Sequence, residues 1–210
     1  NYVNSPNYKL HSGGAIYSKG ANDYAATIDN ITGDFIGNHA KYTGGAIANM
    51  EYSTITNITG DFIGNYVIGN YTGSGNESAR GGAIYKEGGT IKNIKGNFIN
   101  NYVDGGAVFG GAIYNNATIG AIEGDFIGNK AISKTGNAIG SAISNAGTMG
   151  NIIGLFENNV LQSESGFVQG ALRNTGTIGD ITGSFIGNTA TSKTQAAQGA
   201  AIVNTSTIGT

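Results

Sequence analysis

The chain has 210 residues, a formal charge of −2, and neither Cys nor Trp. Near-neutral charge gives no electrostatic drive toward nucleic acid or an anionic membrane, and the lack of Cys excludes disulfides and thiolate metal sites. Gly supplies 37 residues and charged residues only 11 %, but the 39 % of hydrophobic residues recur at fixed spacing, which argues for an ordered core rather than disorder.

The first triplet, Asn1-Tyr2-Val3, recurs at Asn65–Val67 and Asn101–Val103. The last residues, Thr207–Thr210, stop inside a unit that continues elsewhere as Thr177-Ile178-Gly179-Asp180-Ile181. Both ends fall in mid-repeat, so residues 1–210 are expected to be one continuous segment of a longer repetitive protein. No stretch approaches the ~20 apolar residues needed to span a bilayer, so no transmembrane segment is expected.

Between the ends, a cycle of about 30 residues repeats, the signature of a solenoid. Its first part is Gly-Gly-Ala-Ile, at Gly13–Ile16, Gly44–Ile47, Gly81–Ile84 and Gly110–Ile113, with degenerate copies at Gly140–Ile143, Gln169–Leu172 and Gly199–Ile202. The next residue varies (Tyr17, Ala48, Tyr85, Tyr114, Ser144, Arg173, Val203), which suits a solvent face and puts the Ile inward. Two residues after the Ile, Asn stands in five of seven copies. The second part is Thr-Ile-x-x-Ile, as in Thr54-Ile55 with Ile58 and Thr90-Ile91 with Ile94. Two inward Ile three apart break a period of two, so the chain must bend between them. The third part aligns Phe35, Phe62, Phe98, Phe126, Phe156 and Phe185, then Asn38, Asn65, Asn101, Asn129, Asn159 and Asn188, then Ala40, Val67, Val103, Ala131, Val160 and Ala190.

Each coil therefore reads as three short strands joined by bends. Identical units stacked in one direction make parallel strands. The expected fold is an all-β, single-stranded parallel β-helix of about seven coils, with Ile on Ile, Phe on Phe and Asn on Asn. The core of one coil cannot offset the entropy of ordering its own residues, so each needs both neighbours. The two ends leave open parallel edges that invite pairing with another chain.

The repeat is interrupted in the connectors between Phe-x-x-Asn and the next Gly-Gly. The longest runs from Tyr66 to Arg80. Insertions in solenoids map to loops on one face, often the binding face. Its candidate contact residues are Tyr66, Asn70, Tyr71, Asn76, Glu77 and Arg80; the alternative is a tolerated loop, since lengthening costs little. Catalysis has weaker grounds. Asp34, Asp61 and Asp125 share an outward column, but Asn97, Leu155 and Ser184 interrupt it, so no catalytic residues are assigned. His11 and His39 read as isolated loop residues, and neither a metal nor a cofactor is expected. A complete Thr column raises ice binding, but the second column that would need reads Asp29, Thr56, Lys92, Gly120, Gly150, Gly179 and Gly209. Ile36, Ile63, Ile99, Ile127 and Ile186 form a column that alternation places outward; a bend buries it or it is an apolar stripe.

Gly-Gly-Ala-Ile paired with Phe-x-x-Asn, from Gly13–Ile16 with Phe35–Asn38 through the successive copies, resembles the signature of chlamydial polymorphic outer-membrane proteins and related bacterial autotransporter passengers. That resemblance implies a right-handed β-helix, secreted and displayed on the bacterial cell surface through a C-terminal membrane barrel. It also implies adhesion or self-association. The expected function is a non-enzymatic stalk with lateral contact loops. Its partners would be a host or neighbouring-cell surface, protein or glycan, or further copies of itself. A self-assembling extracellular fibre is the alternative, and a polysaccharide-acting β-helix enzyme the remote one.

Overall fold

A computed structural model describes residues 1–3, 12–69 and 78–209. Within them the protein is all-β with no helix, hence with none long and apolar enough to cross a membrane. The strands stack in parallel as a β-solenoid of about six turns with ~29 residues per coil. One coil shows the plan: Ile84–Lys86, Thr90–Lys95, Phe98–Ile99, Tyr102–Gly105 and Val108–Phe109. Each strand pairs in parallel with its equivalents above and below, like residue on like: Ile84 with Ile47 and Ile113, Thr90 with Thr54 and Thr118, Phe98 with Phe62 and Phe126.

The cycle read as three strands thus divides into five ladders, called first to fifth here in chain order. The divisions fall where the backbone leaves extended geometry. At Gly110, the first Gly of a Gly-Gly pair, φ is +67° and an added Cβ would lie 2.2 Å from the Ile113 carbonyl oxygen. At Gly96, between the second and third ladders, φ is +157° and a Cβ would lie 2.0 Å from the Gly60 oxygen one coil away. Only Gly fits either place.

The fifth ladder lies in segments read from sequence as connectors. Ala79–Arg80, Val108–Phe109, Ala138–Ile139, Val168–Gln169 and Ala197–Gln198 form it. Its inward residues make a second small core: Ala79, Val108, Ala138 and Val168 pack with Val67, Val103, Ala131 and Leu161 of the fourth ladder. The turn into it is held by serine: Ser163 Oγ donates to the Gly136 oxygen at 2.6 Å and accepts from the Gly166 N–H at 2.8 Å. One column shifts accordingly. Val160, expected inward, registers with Lys130 and Thr189, and Leu161 takes the buried place opposite Ala131 and Ala190. Alternation from the buried Asn159 requires this, because the residue after an inward Asn faces out.

The main core is a stack of aliphatic and Phe columns. Both Ile columns of Thr-Ile-x-x-Ile point inward and the Thr column faces solvent, as the bend requires. The Phe rings stack at centroid spacings of 4.8 Å from Phe35 to Phe156 and 4.6 Å from Phe156 to Phe185, the spacing of adjacent strands. Beside them runs a buried amide ladder. Each Asn Nδ2 donates to the next coil's Asn Oδ1, from Asn38 to Asn188, at 2.9–3.1 Å. The remaining Nδ2 hydrogen reaches a Phe carbonyl one coil below, as from Asn65 to Phe35 at 2.7 Å. Each Oδ1 also takes a backbone N–H, as from Asn101 to Asn129 at 3.0 Å. Stacking therefore satisfies the buried amides completely. Coil length varies without disturbing this column: successive Asn are 27, 36, 28, 30 and 29 residues apart.

Candidate functional site

The candidate site residues fall on three surfaces of the solenoid. The acid column lines a groove on the second and third ladders, where Asp34, Asp61 and Asp125 stand with Lys95, Asn97 and Glu123. Its carboxylates have a structural task. Asp34 Oδ1 accepts the Asp61 N–H at 2.8 Å, Asp61 Oδ1 accepts the Asn97 N–H at 2.7 Å, and Asp125 Oδ1 accepts the Leu155 N–H at 2.8 Å. Asn97 does the same for the Asp125 N–H at 3.0 Å. An amide thus substitutes for a carboxylate in the column, because the task is to accept a hydrogen bond across coils. Among the described residues no group of His, Asp and Glu is placed to hold a metal.

The second surface is the outward side of the fourth ladder. Tyr66 sits there in a ring stack with His39 at 4.5 Å and Tyr102 at 4.9 Å, and His39 stacks in turn on Tyr2 at 4.0 Å. His39 is therefore no isolated loop residue: it pairs with Tyr2 and Tyr66 in the ladder. Burial holds its imidazole below the ordinary pKa. Burial raises the Tyr102 phenol, with Tyr66 and Asp104 adding to the shift. The outward Ile column of the third ladder is a separate stripe; Ile36 is 62 % exposed, while Glu157 interrupts the run before Ile186.

The third surface is the outer corner where the fifth ladder meets the first. Sequence variety after the Gly-Gly-Ala-Ile motif suggested a solvent face here, but Ala48, Tyr85 and Ser144 are buried. The fifth ladder turns back at the Gly-Gly pair and its outward side chains cover that column. The Arg80 guanidinium lies over the Phe109 ring at 5.5 Å and the Tyr114 ring at 5.3 Å. Phe109 meets Tyr114 edge-on at 6.2 Å, and Tyr85 stacks on Tyr114 at 5.5 Å. The Tyr85 hydroxyl donates to the Glu87 carboxylate. Burial raises the Tyr114 phenol; Arg80 opposes that shift and Glu87 reinforces it.

Of the sequence-predicted contact residues, Tyr66 and Arg80 lie on these last two surfaces, while Asn70, Tyr71, Asn76 and Glu77 lie outside the described residues. Tyr66 and Arg80 belong to different ladders and share no hydrogen bond or ring contact. Phe109, Tyr85 and Tyr114 were missed as companions of Arg80. A signal for them exists: a small apolar residue shortly before five of the motif copies (Ala79, Val108, Ala138, Val168, Ala197) marks an inward site, so its neighbour faces out. No protein-family model matches the chain, and neither a curated protein nor a solved structure matches it.

Proposed function

We propose that the chain is a structural and adhesive segment of a secreted bacterial surface protein: a rigid, non-enzymatic stalk that offers lateral contacts. The observation that carries this reading is where the polar groups are used. The regular columns spend their amides and carboxylates on joining coil to coil. Aromatic and cationic side chains gather outside the core where the repeat is interrupted, at Tyr66 and Arg80. A solenoid whose chemistry is internal supplies length and stiffness, and its irregular face is left for recognition.

The reading is tested by coating beads with the purified chain and measuring attachment to intact epithelial and bacterial cells. The variant replaces the connector between Ile68 and Ala79 with a short Gly-Ser loop and keeps both flanking strands. Attachment is expected to fall at least about tenfold, the equivalent of ~1.4 kcal/mol, with unchanged thermal unfolding. Unchanged attachment would reject lateral contact by this connector. The self-assembling fibre draws its support from the exposed Ile36 and Ile186 of the outward column. Ordered fibres of the native chain, lost when Ile36 and Ile186 become Lys, would favour it over the stalk.

A further inference from the structure

We infer that the corner built by Arg80, Tyr85, Phe109 and Tyr114 is a binding site for the carboxylate of an acidic sugar. The inference deepens the adhesive reading and rests on it for the choice of a glycan as the ligand. Its basis is an unspent guanidinium. Among the described residues Arg80 Nε is buried without a hydrogen-bond partner, and the guanidinium lies over the faces of Phe109 and Tyr114. An unmade hydrogen bond from a buried donor is costly, and the two rings attract the cation through their faces and leave that Nε–H unused.

The same corner shows how the fold closes a guanidinium when nothing else is to bind it. Arg173, in register with Ser144 of the first ladder, donates from Nε to Gln169 Oε1 at 2.8 Å. Its Nη1 donates to the Asn174 carbonyl at 2.7 Å and to Thr205 Oγ1 at 3.1 Å. In the Arg173 coil the outward position of the fifth ladder holds the acceptor Gln169; Arg80 occupies that position in its own coil, and its register partner is Phe109. A ring takes the place of the internal acceptor and leaves Arg80's fork for an external one.

The surroundings select the ligand. A planar guanidinium matches a planar carboxylate with two parallel hydrogen bonds. The Glu87 carboxylate, held by the Tyr85 hydroxyl, stands against a doubly charged phosphate but can accept a hydroxyl hydrogen. A ligand that joins one carboxylate to neighbouring hydroxyls meets both groups, as uronic and sialic acids do. An acidic peptide supplies the carboxylate without the hydroxyls.

The test is NMR titration of the intact chain with glucuronate and N-acetylneuraminate, with glucose and N-acetylglutamate as controls. Saturable binding of an acidic sugar is expected, weaker by at least about tenfold for Arg80→Gln and unchanged for Arg173→Gln. Arg80→Lys keeps the charge and stem but lacks the fork, and is expected to bind weakly as well. Should Arg80→Gln unfold, the Lys variant decides. The inference is overturned by equal binding of glucose, by N-acetylglutamate binding as tightly as the sugars, by full affinity in the Arg80 variants, or by no binding at about 50 mM, far weaker than a millimolar site. Loss of this site together with intact bead attachment would leave the adhesive reading standing.

Discussion

Replacing Lys86 with Met is expected to stabilise the chain by about 3–5 kcal/mol near neutral pH. Lys86 is 0 % exposed and occupies a position that is Asn in most coils, registered between Asn49 and Asn115. Above it the amides connect: Asn115 donates to Asn145 at 2.7 Å and Asn145 to Asn174 at 2.8 Å. At Lys86 the ladder stops. Among the described residues its Nζ has no hydrogen-bond partner, and Asn49 turns its Nδ2 to Ser53 at 2.5 Å instead. Burial lowers the amine's pKa from 10.5 to about 7. The unfolded chain keeps the ordinary value, so between about pH 7 and 10.5 it binds more protons than the folded chain. Stability conferred at this site therefore rises with pH across that window, is lowest below pH 7, and carries no protonation cost above 10.5. Met keeps the volume and removes the titrating group. Urea unfolding across pH 6–11 should show a gap between Lys86→Met and the native chain that is widest at the pH 6 end and closes toward pH 11. Parallel pH curves would refute a buried, unpaired amine.

Asn101→Ala is expected to cost about 3–5 kcal/mol, because it strands several buried groups at roughly 1–3 kcal/mol each. Asn101 Nδ2 donates to the Phe62 carbonyl at 2.8 Å and to Asn129 Oδ1 at 3.1 Å. Its Oδ1 accepts from the Asn65 backbone at 3.0 Å and from Asn65 Nδ2 at 3.0 Å. The loss falls on two neighbouring coils as well as its own. Asn101→Asp keeps the acceptors, deletes both donors and adds a buried charge, so it should do no better at neutral pH. The check is urea unfolding of both variants; a loss below about 1 kcal/mol would show that the ladder is not a stabilising element.

The stacked columns were legible because one side chain recurs at one place in every coil, and parallel pairing turns that recurrence into contact. Phe62, Phe98 and Phe126, or Asn65, Asn101 and Asn129, need no knowledge of loop length to be aligned. The fifth ladder was less legible. Its inward residues are small, alternating between Ala and Val, and its outward ones include Phe109 and Ile139 beside Arg80 and Gln198, so the apolar signal at the inward positions is faint. The sequence column that follows the Asn aligns Val160 with Val103 and Ala131, although parity from Asn159 assigns that place to Leu161. The Arg80 corner depends on how the fifth ladder folds back over the first, and a repeat read one coil at a time carries no information about that angle.

The central claim is that successive coils stack in parallel with like residues in register, and the natural absence of Cys allows a direct test by disulfide formation. Thr54 and Thr90 are register partners on the outer face of the second ladder. Neighbouring strands bring such residues within the ~4.4–6.8 Å Cα separation that a disulfide spans. The double variant Thr54→Cys with Thr90→Cys should therefore close an intramolecular disulfide on mild oxidation, read by mass spectrometry. Thr54→Cys with Lys95→Cys, which pairs with Thr59 instead, should remain reduced. Closure of the second pair and not the first would contradict the register and the solenoid built on it.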